Sequence, residues 1–381
     1  MRPEPLAPGS TIGIFGGGQL GRFLGVAAAK LGFRTAVYAP EEDSPAFQVA
    51  SRRWVSSYAD EDALIEFSKA CDVITFEFEN VPAAALEIAA RHTAVRPGAR
   101  AAEITQDRIS EKRFLSSLSL PTAPYAIIEC EGCLKAAAAL LADAGTGILK
   151  RAREGYDGKG QARVSSEAEL RAACCEFAAP CILEAFVNFS MEISVIAVRG
   201  TEGEILFYDC PENVHDGGIL RKSSVPAGCP PEPQRLAQDI TERIAAALDY
   251  CGVLGVEFFV LPEGSRGPPV LVNEIAPRVH NSGHWTLEAC AISQFENHIR
   301  AIASWPLGSA GRHSDAVMTN LIGSDALNWR EILEKDPGAS LHLYGKNGLR
   351  EGRKLGHVTQ ISPQKKKQDN SHLLSAENGH T

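Results

Sequence analysis

The chain has 381 residues, with 44% hydrophobic and 22% charged residues and a formal net charge of −9. That length carries two or three domains around sizeable cores. The acidic balance excludes a general nucleic-acid binder or an acidic-membrane binder, either of which needs a basic surface. It leaves room for a small anionic substrate held by a few local cations. Residues 1–10, "MRPEPLAPGS", lack the apolar core of a signal peptide. No apolar run approaches the roughly 20 residues that span a bilayer. The expectation is therefore a cytoplasmic protein with its ten cysteines reduced.

In chain order, "TIGIF" reads as a buried strand and runs into "GGGQLG". Leu20, Phe23, Leu24, Ala27, Ala28 and Leu31 then recur at helical spacing. "RTAVYA" and "CDVITFEFE" read as strands, with the amphipathic "EDALIEFSKA" between them. This rhythm predicts a parallel sheet with helices on both faces. A Pro-Gly break and a long polar helix follow in "RPGARAAEITQDRISEKRFLSSLSLPTAPY", and the first boundary falls near residue 100.

Residues 101–190 read as a small α+β unit. "GILKRA" and "ARVSS" are strands joined by "REGYDGKGQ", and the helix "EAELRAACCEF" leads to the strand "CILEAF". Residues 191–305 carry longer strands, "MEISVIAVRG", "EILFYDC", "VLGVEFFVL" and "PVLVNEIAPR", as expected of a mainly antiparallel sheet. A small β-rich unit is expected over 306–363, and a disordered polar tail over 364–381 with its Lys365–Lys367 run.

Several motifs carry chemistry. Gly16-x-Gly18-x-x-Gly21 matches the dinucleotide fingerprint. That reading needs an acid at the end of the second strand, yet Glu41, Glu42 and Asp43 come only after Pro40. A different phosphate ligand, or a plain tight turn, remains open. The second glycine cluster runs from Lys150 through Gly155, Gly158 and Gly160 to Gln161. It joins two strands, which excludes a Walker P-loop and suits a lid folding over a polyphosphate, with Lys150 as a fixed cation.

Glu257 and Glu274 lie in successive apolar strands, and Asn273 adjoins the second. Buried carboxylates need a cation, and hard oxygen ligands completed by phosphate suit Mg²⁺; pairing with Arg278 or lysines is the other reading. His280 and His284 are four apart, but Asn281-Ser282-Gly283 between them is turn-forming and argues against a zinc helix. Arg278 and His280, just past the carboxylate strand, could hold a small anion such as bicarbonate. Cys130-x-x-Cys133 has metal-ligand spacing, but no second pair follows at zinc spacing. Cys174, Cys175 and Cys181 fall in a helix and a strand.

The lysine strand, "GYDGKGQ", "ILEAFVNFSMEISV", "ENVHDGGIL", the two glutamates, "NEIAPRVHNSGHWT" and "EGRKLGH" occur in that order. Together with "FEFENVP" they resemble the ATP-grasp superfamily and, within it, the 5-(carboxyamino)imidazole ribonucleotide synthases of purine biosynthesis. The resemblance covers residues 11–361. It implies an ATP-grasp fold, α/β and α+β, with an N-terminal Rossmann-like domain that binds substrate. It also implies ATP and Mg²⁺, bicarbonate and aminoimidazole ribonucleotide as substrates, and a homodimer.

The resemblance implies these roles. Arg108 and Lys150 contact ATP phosphates, and Gly155, Tyr156, Asp157, Gly158, Lys159, Gly160 and Gln161 form the lid. Glu184, Ala185, Phe186 and Val187 form the adenine hinge, where relatives often carry a second acid or Gln after the Glu. Glu192 holds the ribose, His215 lies near the nucleotide, and Glu257 and Glu274 ligate the metal beside Asn273. Gly18, Gln19, Leu20, Glu79, Asn80, Tyr156, Asp157, Lys346, Arg353 and Lys354 line the ribonucleotide site, with the glycine-turn amides facing its phosphoribosyl end. Arg278, His280 and Lys346 take bicarbonate, and Asp157 orients the amine or accepts its proton. A formate-using glycinamide ribonucleotide transformylase and a biotin carboxylase share the lid and the glutamates. An NAD-dependent dehydrogenase would leave the paired glutamates unexplained, and a non-catalytic nucleotide-binding protein would have lost one of them.

Overall fold

A computed structural model describes residues 4–153, 155 and 160–364. Tyr156, Asp157, Gly158 and Lys159 of the expected lid, and the tail from residue 365, lie outside the described residues.

The chain starts with β1 (Thr11–Phe15), α1 (Gln19–Lys30), β2 (Arg34–Ala39), β3 (Arg52–Val55), α2 (Glu61–Lys69), β4 (Val73–Phe76), α3 (Ala83–Ala90) and β5 (Ala94–Val95). The strands form a parallel sheet in the order β3-β2-β1-β4-β5. β1, β2 and β4 are almost wholly buried, as parallel strands covered on both faces must be.

The long polar helix expected next is two helices, α4 (Ala99–Thr105) and α5 (Arg108–Ser117). Asp107 causes the break. Its carboxylate accepts the Ile109 and Ser110 amides at 2.9 and 3.1 Å and caps a new helix.

β6 (Tyr125–Ile128), α6 (Leu134–Ala144), β7 (Gly147–Arg151), β8 (Gln161–Val164), α7 (Glu167–Phe177) and β9 (Cys181–Ala185) follow. They build a four-stranded antiparallel sheet, β6-β9-β7-β8, with Leu141, Leu149, Leu170 and Leu183 in its core.

The largest layer contains β10 (Met191–Arg199), β11 (Ile205–Phe207), β12 (Glu212–Asp216), β13 (Ile219–Val225), α8 (Pro231–Ala247), β14 (Gly252–Val260) and β15 (Val270–Ala276). After α9 (Thr286–Ala289) and α10 (Gln294–Ile302) come β16 (Ser314–Ile322), α11 (Trp329–Lys335), β17 (Ser340–Leu343) and β18 (Lys354–Pro363). The last strands, expected as a small β-rich unit, extend the same sheet. β16 pairs with β13, with Lys222 opposite Thr319, and the nine strands run β15-β14-β10-β12-β13-β16-β18-β17 with β11 on β10.

Alternation along β10 divides its side chains between two cores. Ile193, Val195 and Ala197 pack with Ile240 and Ile244 of α8. Ile196 and Val198 pack with Phe295, Ile299 and Ile302 of α10, in a cluster that also contains Leu24 and Ala28 of α1. That shared core fixes the parallel sheet against the large one. His298 of α10 ties the same junction. Val253 N–H donates to its Nδ1 at 3.0 Å, so Nε2 carries the proton and donates to Thr75 Oγ1 at 2.8 Å.

Candidate active site

The three sheets surround a cavity of about 740 Å³. The lid sheet contributes Lys150, Gln161, Glu184, Ala185, Phe186 and Val187 to it. The large sheet contributes Glu192, His215, Glu257, Asn273 and Glu274, and the segments after β4 and β15 contribute Glu79, Asn80, Arg278 and His280. Gln19, Leu20, Arg108, Gly155, Lys346, Arg353 and Lys354 complete the sequence-predicted set that the structure brings together. Gly18 and Gly160 are not among the lining residues.

Glu257 of β14 stands opposite Glu274 of β15, and a bulge follows at once, since Phe258 pairs with Val272. Asn273 is therefore the extra residue of the bulge, which re-aims the strand beside the site. Burial, then the charge of Glu274, pushes Glu257 up to about 7. Burial acts the same way on Glu274, but Arg108 and Lys150 hold it below the usual carboxylate range. Arg108 Nη1 lies 3.2 Å from Glu274 Oε2, and its Nη2 donates to the Gly155 carbonyl at 3.2 Å.

This arrangement fits a magnesium ion. Two neighbouring carboxylates, Glu257 buried and Glu274 partly open to the cavity, raise each other's cost until a cation joins them. The donors are all oxygens, and no group of three His, Cys, Asp or Glu able to hold a metal occurs among the described residues. A magnesium held by one or two carboxylates takes the rest of its shell from phosphate and water.

Next to the carboxylates, Glu184 Oε2 pairs with Lys150 Nζ at 2.7 Å and its Oε1 with Lys112 Nζ at 3.2 Å. Burial would raise Glu184, but the two lysines hold it at about 2. Lys112 also donates to the Asn273 carbonyl at 3.0 Å, and Glu111 Oε1 accepts the Ile275 amide at 2.7 Å. α5 thus locks β15 to the hinge strand. The Ala185 and Phe186 amides are used inside the protein, on Pro124 O at 2.8 Å and Thr146 O at 2.9 Å. Glu192 is paired with His215. Burial opposes a charge on His215, yet Glu192, Glu257 and Glu274 together raise its pKa.

At the other end, Arg278 is ion-paired with Glu79. Burial disfavours both charges, but each sustains the other's: Glu79 is held low and Arg278 high. Lys346 Nζ donates to the Lys354 carbonyl at 3.0 Å and lies 5.6 Å from the centre of the Tyr344 ring.

His280 is the end of a buried hydrogen-bond chain whose direction is determined. Ser223 Oγ donates to Asn213 Oδ1 at 2.7 Å, and Asn213 Nδ2 donates to Ser194 Oγ at 3.0 Å. The Ser282 amide donates to His280 Nδ1 at 3.4 Å, so Nδ1 is an acceptor. The Ser282 hydroxyl therefore donates to it at 2.7 Å, and the Ser194 hydroxyl to Ser282 Oγ at 2.6 Å. Nε2 carries the proton of the neutral ring. Burial, then the charge of Arg278, pushes the His280 pKa down to about 3. Gly255 makes room for the ring, since a Cβ there would stand 2.9 Å from His280 Cβ.

Part of the glycine turn is committed within the protein. The Gly18 and Gly21 amides donate to Glu77 at 2.8 and 3.1 Å, while Gln19 and Leu20 of the same turn line the cavity. Gly16 has φ +100°, and a Cβ there or at Gly18 would fall within 2.6–2.7 Å of the Glu77 side chain. Glu77 was not singled out in the sequence. An acid closing the apolar run "VITF" was the available signal. Lys112 and Glu111 were missed as well, because nothing in a polar helix marks which charges turn inward.

The ATP-grasp domain family matches residues 113–295, the ribonucleotide synthetase preATP-grasp domain residues 10–106, and the phosphoribosylaminoimidazole carboxylase C-terminal domain residues 316–371. An N5-carboxyaminoimidazole ribonucleotide synthase of Brucella melitensis is 53% identical over 95% of this chain and 99% of its own length. The Bacillus subtilis protein of the same name is 40% identical over 94% of this chain and 93% of its own. Among solved structures, an N5-carboxyaminoimidazole synthase from Aspergillus clavatus in complex with ADP and 5-aminoimidazole ribonucleotide has a TM-score of 0.85 at 32% identity, covering 93% of this chain and 94% of that one. An ADP complex of N5-carboxyaminoimidazole ribonucleotide synthetase reaches 0.89 at 39% identity, covering 94% of each chain. The chain belongs to the N5-carboxyaminoimidazole ribonucleotide synthases, enzymes of the ATP-grasp ligase type.

Proposed function

We propose that the chain uses ATP and bicarbonate to carboxylate 5-aminoimidazole ribonucleotide to the N5-carboxyamino product, through carboxyphosphate. One observation carries this reading beyond family membership. The paired carboxylates Glu257 and Glu274 and the cations Arg108 and Lys150 share a single cavity with Arg278, Lys346 and Lys354. A phosphate donor at the first group and an anionic acceptor at the second would meet there.

Bicarbonate is a poor electrophile, and phosphorylation gives it a leaving group that the substrate amine can displace. Phosphoryl transfer is mainly positioning and charge neutralisation. Glu257 and Glu274 would hold Mg²⁺, which when bound supplies positive charge to the phosphate oxygens. Lys150 and Arg108 bind phosphates by exchanging their present carboxylate partners for them. Glu184 to Val187 receive adenine through Val187 N–H and the carbonyls, since the Ala185 and Phe186 amides are taken. Arg278, kept charged and oriented by Glu79, holds bicarbonate for in-line attack. Lys346, Arg353, Lys354, Gln19 and Asn80 receive the ribonucleotide. The lid around Asp157 excludes water, and Asp157 orients the amine.

The test is ADP release by the full chain. Release stimulated by aminoimidazole ribonucleotide plus bicarbonate is expected. Stimulation by glycinamide ribonucleotide plus formate instead would overturn the assignment. We further infer a homodimer in the cytosol, which sedimentation of the purified chain and fractionation of cells test. Among the described residues no helix is long and apolar enough to cross a membrane.

A further inference from the structure

We infer that Cys130 and Cys133 form a redox-active dithiol that closes to an intramolecular disulfide by exchange with small-molecule disulfides. The function described above makes no use of this pair, which sits in the lid sheet's unit beyond the end of β6. Ile128 of β6 pairs with Cys181, while Tyr125 at the other end pairs with Glu184. The dithiol therefore lies at the end of the strand away from the cavity.

The local backbone brings the sulfurs together. Residues Glu131–Cys133 form one tight turn, closed by the Cys133 amide donating to the Cys130 carbonyl at 3.0 Å, and α6 starts at the next residue. Cys130 Sγ and Cys133 Sγ stand 2.9 Å apart, leaving roughly 1 Å to close to a bonded pair. Cys130 is exposed and Cys133 half-buried, so a soluble oxidant can reach them. The other eight cysteines are also free thiols. Cys175, exposed on α7, provides an internal comparison.

A metal is the weaker reading of the same spacing. A structural zinc site needs four ligands, and no third His, Cys, Asp or Glu joins the pair among the described residues.

The chemistry balances as two exchanges. The Cys133 thiolate attacks one sulfur of a disulfide RSSR. A Cys133–SR bond forms, the S–S bond breaks and RS⁻ leaves with the electron pair. The Cys130 thiol then loses its proton and attacks Cys133 Sγ, expelling the second RS⁻. The protein is oxidised by two electrons and RSSR is reduced to two thiols. Cys133 is the better first nucleophile. The Cys130 thiol, together with backbone groups of Glu129 and Cys130, holds it below the usual thiol range.

The experiment incubates the full chain with oxidised and reduced glutathione at varied ratios and reads intact mass and disulfide-linked peptides. The expected result is a loss of two hydrogens mapped to a Cys130–Cys133 link, reversed by dithiothreitol, with no glutathione retained on either residue. Cys130→Ser should instead stop at a glutathione adduct on Cys133. The proposal is overturned if the wild-type pair stays reduced at a ratio that modifies Cys175. It is equally overturned if the wild-type chain stops at a mixed disulfide on either cysteine.

Discussion

His280 Nε2 lies 3.4 Å from Glu257 Oε1, and the hydroxyl chain behind the ring leaves Nε2 as its proton-bearing atom. The imidazole therefore places its proton-bearing nitrogen beside the carboxylate proposed for the metal. The sequence reading placed His280 against bicarbonate; its distance from Glu257 suggests a second role, positioning that carboxylate. His280→Phe should raise the Mg²⁺ concentration for half-maximal ADP release by about 10–100-fold, as loss of an outer hydrogen bond to a ligand does elsewhere. An unchanged magnesium titration with a raised KM for bicarbonate would leave only the bicarbonate role.

Glu274→Ala should lower ADP release by at least about 100-fold, the scale for losing one group that stabilises transferred charge. Its side chain is 40% exposed and ion-paired with Arg108, so the melting temperature should change little. Turnover of the wild-type chain without Mg²⁺ would sink the metal assignment.

Glu77→Ala removes the acceptor for the part-buried Gly18 amide and the buried Gly21 amide. Unsatisfied buried donors cost about 1–3 kcal/mol, and urea denaturation should report a loss of that order. A midpoint equal to wild type would mean that the turn does not depend on its carboxylate.

The buried histidines should lower stability as the solution is acidified, against Glu257 and Glu111, which burial pushes up to about 7 and which act in the opposite direction. Burial pushes both His298 and His280 down to about 3, and moves His284 and His357 in the same direction. In the unfolded chain each titrates near 6.5. Below that pH the unfolded state binds protons the folded state refuses, so this contribution is complete above about 6.5 and is lost towards 3. His298→Gln should flatten the decline by up to about 1.4 kcal/mol per pH unit. Denaturation midpoints measured from pH 7 to pH 5 give the slope directly. A slope equal to wild type would remove His298 from the account.

Local signals in the sequence were strong where one element decides the outcome. The helix read as "EAELRAACCEF" is α7, and strand alternation brought Glu257 and Glu274 to one place before any register was known. The failures are contacts between distant segments. Glu77 reaches Gly18 across 59 residues, and no pattern in either stretch announces the other. The Asp107 cap split a helix that polarity alone made continuous. β16 joins β13 because Lys222 and Thr319 meet across a fold that hydrophobic period does not encode. The ring of His280 was legible as a titratable group and its partner Ser282 is two residues on, but the Ser194, Asn213 and Ser223 side chains behind that hydroxyl come from β10, β12 and β13.

The sheet that holds Glu274 on its first strand holds Lys354 on its next-to-last, and both side chains enter the same cavity. One continuous sheet would therefore act as a common ruler for the proposed phosphate-donating end and acceptor end. Thermal drift between the two substrates is limited to the bending of that sheet, not to the looser swing of one domain on another. An insertion or a proline in β13 or β16, far from any reacting atom, would shift the spacing between donor and acceptor. Such a change should uncouple ATP hydrolysis from carboxylation while each substrate still binds.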